Sequence, residues 1–521
     1  NTAVGFHAGN DITTGLQNTL MGGLTGDHLT DADNNTAFGY AALTADTKGS
    51  KSTAIGQGTL AAQNFTSATD SHNTAVGYQA GASVSTGVNN TLIGSLAGDA
   101  LTDADHNVAI GYLALSADTK GSRSIAIGFG TLDAQNFTSA TDAYNVAIGY
   151  TAGGAVTTGT QNILIGGLTG DAITTGDNNV AIGHEALTAN TVGDRSTAVG
   201  NFALKSQNPN SNTDMYNVAV GHNAGGDITT GLQNTIIGGL AGDALTDADY
   251  NVALGYFALS SDTLGSRSTA IGRSALKSQN FTSATDNYNV AVGFGAGENV
   301  TTGTENTLIG SLAGDALTTS QRNVALGYNA LGVETLGQYS VAIGWSALGL
   351  QSNTGSTVNA LNVAVGYNAG ASVTTGTFNT IMGGLAGDAL TTSTRNTVLG
   401  YTALGSETAG QYSTALGYAA LALQNNTGGG NIYNTAVGYN AGAQVTTGTG
   451  HTLIGGLAGD ALTTGLSNTA VGQNALTSDT TGRYNVAIGQ NALKDQNFSG
   501  SNNVYNVAVG MSTGENITTG L

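Results

Sequence analysis

The chain has 521 residues, of which 80 are glycine, one is proline, one is tryptophan and none is cysteine, and 33 Asp+Glu against 13 Lys+Arg give a net charge of −20. Glycine off the every-third-residue pattern excludes collagen, and the absence of cysteine excludes disulfide scaffolds and cysteine-bound metals. The lack of a basic footprint excludes nucleic acid as a partner and disfavours anionic membranes, while 40% hydrophobic residues are too many for simple disorder.

Taken from its start, the chain is a repeat. Units begin at Asn1, Asn18, Asn35 and Ser52 with lengths of 17, 17, 17 and 21 residues, and the cycle restarts at Asn73. Later cycles restart at Asn145, Asn217, Asn289, Asn362, Asn434 and Asn506. The cycles span 1–72, 73–144, 145–216, 217–288, 289–361, 362–433 and 434–505, with a partial cycle at 506–521, giving 29 units. The superperiod is 72 residues, or 73 in the fifth cycle. The chain opens and closes inside a repeat, so it is expected to be a fragment of a longer protein.

Each unit opens on one pattern, as in NTAVG (1–5) and NVAIG (107–111). Slot 1 is Asn in 22 units, Ser in six and His once (His451); slot 2 is Thr, Val or Ile; slot 4 is Val, Ile, Leu, Met or Phe; slot 5 is Gly in all 29. β-Branched residues at slot 2 favour an extended backbone. Slots 2 and 4 share parity, so they point to one side of a strand, and the expectation is that this side is buried. Repeated glycine disqualifies a helix, at about 1 kcal/mol each. A strand this short buries nothing alone, but stacked copies pair in parallel and in register. The fold expected is therefore all-β: one parallel β-solenoid, or β-roll, of 29 coils. At a strand spacing of ~4.8 Å it would form a thin rod of about 140 Å. Slot 1 Asn is expected to form a ladder, slot 5 Gly to mark a corner or close backbone approach, and Ala at slots 3 and 8 a second buried surface.

The fourth unit of each cycle is lengthened after its Leu, as in 61–72, 133–144, 205–216 and 277–288, with altered content at 349–361, 422–433 and 494–505. Insertions into a solenoid project where the stack tolerates them, often on the binding face. Phe65, Phe137, Phe281 and Phe498 on these polar loops are expected either to make contacts or to be buried against a partner. Slot 6 is aromatic in many units, as at Tyr78, Tyr112 and Tyr150, but Gly or Ser in the second unit of every cycle, which reads as packing between coils or chains.

NTAVGYQAG (73–81), NVAVGYNAG (362–370) and NTAVGYNAG (434–442) resemble the head repeats of YadA-like trimeric autotransporter adhesins. The resemblance implies a left-handed β-roll, three chains side by side, exposed on a cell surface. Similar arrays occur in phage tail-fibre shafts. The 72-residue superperiod departs from the family pattern.

Singular chemistry is hard to find. The seven histidines fall in several different slots, so they cannot stack into a metal ladder, and corner or solvent positions are expected for them. A catalytic triad needs one unrepeated constellation, and glycan hydrolysis needs an irregular cleft with two acids. Neither stands out, and the chain is expected not to be an enzyme and to use no cofactor. Asp31 and Asp33, Asp103 and Asp105, and Asp247 and Asp249 precede an Asn in an Asp-x-Asp-x-Asn pattern, the one spacing suited to calcium. Equivalent turns elsewhere read TTGDNN, TTSQRN and TTGLSN, so a solvated acidic turn is the plainer expectation. Adjacent Thr pairs near slot 13 suit ice binding poorly. The sequence thus points to a structural shaft or head of an extracellular adhesive fibre, self-associating as a homotrimer and meeting a surface glycan or protein receptor. A phage tail-fibre shaft is the alternative; a polysaccharide-degrading tailspike and an ice-binding solenoid rank below it.

Overall fold

The structure is a computed structural model that describes residues 1–355, 357–500 and 503–520. All described regular structure is β, and every pairing within it is parallel. The chain divides into two compact units, Asn1–Tyr256 and Phe257–Leu521. Both are β-solenoids built from the same coil. In the first, fifteen three-residue strands, from Thr2–Val4 to Val252–Leu254, recur once per repeat. In the second, fourteen do so, from Thr269–Ile271 to Val507–Val509. Pairing keeps slots aligned: Thr74 lies against Thr91, Ala75 against Leu92 and Val76 against Ile93.

Slot 1 Asn explains why the register holds. In successive coils the backbone N–H of Asn90 donates to Asn73 Oδ1 (2.9 Å), and that of Asn107 to Asn90 Oδ1 (2.9 Å). Each Nδ2 donates to a carbonyl fourteen residues ahead in its own coil, as Asn90 does to Ala104 (2.8 Å). These side chains are fully buried. Slipping by one residue would strand an amide in the core, at roughly 1–3 kcal/mol per unsatisfied group.

Slot 5 glycine sits where both conformation and space exclude a side chain. Gly238 has φ +135°, and a Cβ there would stand 2.6 Å from the carbonyl oxygen of Gly255 in the next coil. The chain turns here by bringing successive backbones into contact.

The direction in which the strand faces reverses the expectation. Slot 3 points inward: Ala37, Ala54, Ala75 and Leu92 are fully buried, whereas Thr74 and Val76 on either side of Ala75 remain half-exposed. Parity shows which residues share a face but not which face is inside. The lumen of so short a coil is narrow. It accepts Ala at slots 3 and 8 and Leu at selected places, leaving the β-branched slots outside. Ala at slots 3 and 8 therefore forms the single core, not a second surface.

The four-coil cycle follows from filling that lumen. In first and second coils slot 9 is Gly and slot 12 is aliphatic, and the two compete for one space: a Cβ on Gly98 would meet Leu101 Cδ1 and Leu92 Cδ2, each at 2.8 Å. In third and fourth coils Leu115 and Leu132 occupy slot 9, and slot 12 is released to a polar residue, Asp118 or Gln135. Volume conserved across slots 9 and 12 is what close packing demands.

Candidate functional site

Two features of the surface can act on something outside the coil. The first is the outward side of the strand. Slot 4 presents an apolar column there and slot 2 a mixed column of Thr, Val and Ile, flanked by slot 6 and by the last slot of the preceding coil. Val4, Met21, Ile55, Ile93 and Ile237 are exposed in the first unit, and Leu326, Met382, Leu399 and Ile454 in the second. At slot 6 the rings stack in threes. Tyr112, Phe129 and Tyr150 have centroids 5.5 and 5.4 Å apart; Tyr328, Trp345 and Tyr367 are 6.1 and 5.2 Å apart; Tyr401, Tyr418 and Tyr439 are 5.7 and 5.4 Å apart. Each of these rings is about half-exposed, Trp345 at 46%. The small residue of the second coil (Ser95, Gly167, Ser311, Gly384, Gly456) separates one stack from the next.

The last slot of each coil forms the other flank. Apart from Gly450, its residues adopt a left-handed backbone without being glycine, as at Asn89 (φ 59°), Arg123 (φ 63°) and Tyr144 (φ 51°). Large planar groups stand in line along it. Arg123 lies 5.7 Å above the Tyr144 ring and pairs with Asp142 at 2.9 Å; Arg267, Tyr288 and Asp286 repeat this with 5.8 and 3.0 Å. Tyr412 and Tyr433 stack at 5.4 Å, and Tyr484 and Tyr505 at 5.2 Å. These ion pairs are solvent-exposed, so water and salt screen them and they contribute little.

The second feature is the long loop of the fourth coil, and its anchor was not foreseen. Gln63 is fully buried, and its Nε2 donates to Asp46 Oδ2 (2.6 Å) and Ser52 Oγ (2.9 Å) while its Oε1 accepts from Asn73 Nδ2 (2.9 Å). Gln63 thereby bridges the break in the Asn ladder where slot 1 is Ser. Asp46 Oδ1 also accepts the backbone N–H groups of Gly49 (3.0 Å) and Phe65 (3.2 Å). No cation faces this carboxylate among its hydrogen-bond partners, and burial raises its pKa above the ordinary value. The node recurs through Asp118 with Gln135, Asp262 with Gln279, Glu334 with Gln351, Glu407 with Gln424 and Asp479 with Gln496. One signal in the sequence could have found it: a Gln opens every long loop, and 17 residues earlier stands Asp, Glu or, once, Asn190.

The node decides the place of the loop phenylalanines. Phe65, Phe137, Phe281 and Phe498 are 5–6% exposed. They do not project as contact residues; each closes the base of its own loop, with Phe65 Cδ2 lying 2.7 Å from where a Cβ on Gly49 would stand. The tips beyond them, such as Thr66, Ser67 and Ala68, are what the loop exposes.

The acidic turns do not converge on an ion. Asp33, Asp105 and Asp249 each turn Oδ1 to a backbone N–H of the coil before, from Leu16 (2.6 Å), Val88 (2.7 Å) and Leu232 (2.7 Å). Asp31 and Asp247 accept the hydroxyls of Thr14 and Thr230, and Asp103 that of Thr102. Among the described residues no three His, Asp or Glu side chains are grouped as metal ligands. Slot 13 threonines bond along the stack, Thr30 Oγ1 donating to the Thr47 carbonyl (3.0 Å). Six histidines are exposed, and His451 is fully buried at its slot 1 position in the Asn ladder.

The fold and this surface together define a β-solenoid repeat protein. Comparison with known protein families, with curated proteins and with solved structures finds no match to the chain.

Proposed function

We propose that this chain is a structural segment of an extracellular adhesive fibre, assembled as a homotrimer through the outward strand face and displaying its long loops once per cycle. The observation that supports association is an apolar column at slot 4, beside the Thr, Val and Ile of slot 2, flanked on both sides by half-exposed rings at slot 6 and at the last slot. A half-exposed Tyr or Phe offers about 100 Å² of the 150–250 Å² that such side chains bury. Eight such rings therefore reach the roughly 800 Å² per partner of a standard interface. The first unit alone carries more, among them Phe6, Tyr40, Tyr78, Tyr112, Phe129, Tyr144, Tyr150, Tyr216 and Tyr250. Apolar surface of this extent is uncommon on a monomer. The loop tips face a surface glycan or protein receptor in this reading, and the stack supplies spacing rather than chemistry.

Sedimentation analysis of the full chain tests the assembly. The expected species is about three times the 51.6 kDa chain mass. Exchanging Tyr401, Tyr418 and Tyr439 for Ser should weaken association while leaving circular dichroism unchanged. A monodisperse monomer at high concentration refutes the reading.

A further inference from the structure

We propose that the long loops carry N-glycosylation acceptors, at Asn64, Asn136, Asn280, Asn425 and Asn497. Each begins an Asn-x-Ser/Thr triplet: NFT at 64, 136 and 280, NNT at 425 and NFS at 497. This is the pattern that N-linked glycosyl transfer requires, provided x is not proline and the segment lies on the surface. All five asparagines stand at slot 13 of a fourth coil. The triplet survives in the sixth and seventh cycles, where the surrounding loop has otherwise changed.

The structure separates these triplets from the others in the chain. In each, the side-chain oxygen is held by a threonine hydroxyl, and the nitrogen makes no hydrogen bond among the described residues. Asn64 Oδ1 accepts the hydroxyl of Thr47 (3.1 Å), Asn136 that of Thr119 (3.1 Å), Asn280 that of Thr263 (3.2 Å), Asn425 that of Thr408 (3.0 Å) and Asn497 that of Thr480 (3.0 Å). Asn64, Asn136, Asn280 and Asn497 are exposed and Asn425 is half-exposed, and the third residues Thr66, Thr138, Thr282, Thr427 and Ser499 are all exposed. The middle residue is the buried phenylalanine in four of the five, so the acceptor is presented from a fixed base rather than from a slack loop.

The remaining triplets fail on position. Those at Asn34 and Asn89 run through the buried Asn35 and Asn90 into the strands Thr36–Phe38 and Thr91–Ile93, so their third residues, Thr36 and Thr91, are half-exposed strand residues rather than exposed loop residues. In the triplet at Asn299, Nδ2 donates to the Asp315 carbonyl (2.9 Å) and the Thr301 hydroxyl to the Thr318 carbonyl (3.2 Å), so both reacting groups are engaged. Asn516 shares that slot. The third cycle supplies an internal control. Asn208 accepts the Thr191 hydroxyl (2.8 Å) in the same geometry, but it is followed by Pro209, the only proline in the chain.

The step needs a transferase and a glycosyl donor activated on a diphosphate carrier. Asn64 Nδ2 attacks the anomeric carbon, and a C–N bond forms as the bond from that carbon to the diphosphate oxygen breaks. The amide loses one proton to a base of the transferase, and the diphosphate carrier leaves with the bonding electron pair.

The test treats the folded full chain with a single-subunit oligosaccharyltransferase and a lipid-diphosphate oligosaccharide, then maps sites by peptide mass spectrometry. Sugar is expected on the five loop asparagines and not on Asn208. Thr66→Ala should abolish modification at Asn64 alone, and Pro209→Phe with Asn210→Thr should create a site at Asn208. Absence of sugar from the five loops overturns the proposal. So does modification that appears only after unfolding in urea, or that is as heavy on Asn34 and Asn89 as on the loops.

Discussion

His451 occupies a slot otherwise reserved for Asn or Ser, and it makes the stack sensitive to acid at one coil. Its ring is fully buried, Nδ1 accepts the backbone N–H of Asn468 (3.2 Å), and the backbone N–H of His451 donates to Asn434 Oδ1 (2.9 Å). Nδ1 can accept only while the imidazole is neutral, and burial pushes the pKa down from 6.5 to about 4. An unfolded chain takes up the proton near pH 6.5 and the folded one near pH 4, so the unfolded state binds more protons between these values. Stability contributed by the neutral ring is complete above pH 6.5, falls as the pH drops and has lost about 3 kcal/mol by pH 4. At pH 5 the loss is about 2 kcal/mol, or roughly thirtyfold in local opening. His451→Asn restores the amide ladder, and its Nδ2 would reach the Gly465 carbonyl as the other asparagines reach theirs. It should remove the pH dependence and add about 1 kcal/mol at pH 7. Amide exchange of Asn468 and its neighbours, normalised to intrinsic rates at each pH, measures this coil without requiring the whole stack to melt as one unit. Equal pH profiles in the two proteins, or a His451 ring signal titrating near 6.5, refute the argument.

Gly238→Ala should destabilise its coil by about 1–3 kcal/mol through the forbidden φ and the clash with the next backbone, whereas Gly239→Ala, whose Cβ would meet Tyr256 Cδ2 at 3.6 Å, should leave local amide exchange unchanged. Asp46→Ala orphans the amides of Gly49 and Phe65 and the Gln63 side chain, so residues 46–71 should exchange with about 3 kcal/mol less protection. Asp46→Asn should cost less than Asp46→Ala, because its oxygen can keep the Gly49 amide as Asn190 keeps the Gly193 N–H at 2.9 Å, although the bond from Gln63 Nε2 is lost. Phe65→Ala should open the loop base by about 3 kcal/mol, while Ser67→Gly at the tip should alter nothing in the same exchange experiment.

The repeat, the coil count, the parallel register and the Asn ladder were legible in the sequence, because a pattern recurring every 17 residues with an invariant Gly and a near-invariant Asn permits only stacking of like on like. The facing of the strand was not. Alternation at slots 2 and 4 is satisfied equally by either side, and only the closed coil, with a lumen narrow enough to prefer Ala37 or Ala54 to a β-branched side chain, selects slot 3 as the interior. The loop phenylalanines were ambiguous for a related reason. Phe65 beside polar residues suits a contact, a partner or a core, and its burial depends on Asp46 in the preceding coil and on Gln63, positions joined through space by the stack. His451 stands in the ladder slot by sequence alone, but its complete burial follows only from the closed coil. Sequence determines what repeats; the closing of the chain into a coil decides which side of each repeat is withdrawn from water, and therefore which residues remain to meet anything else.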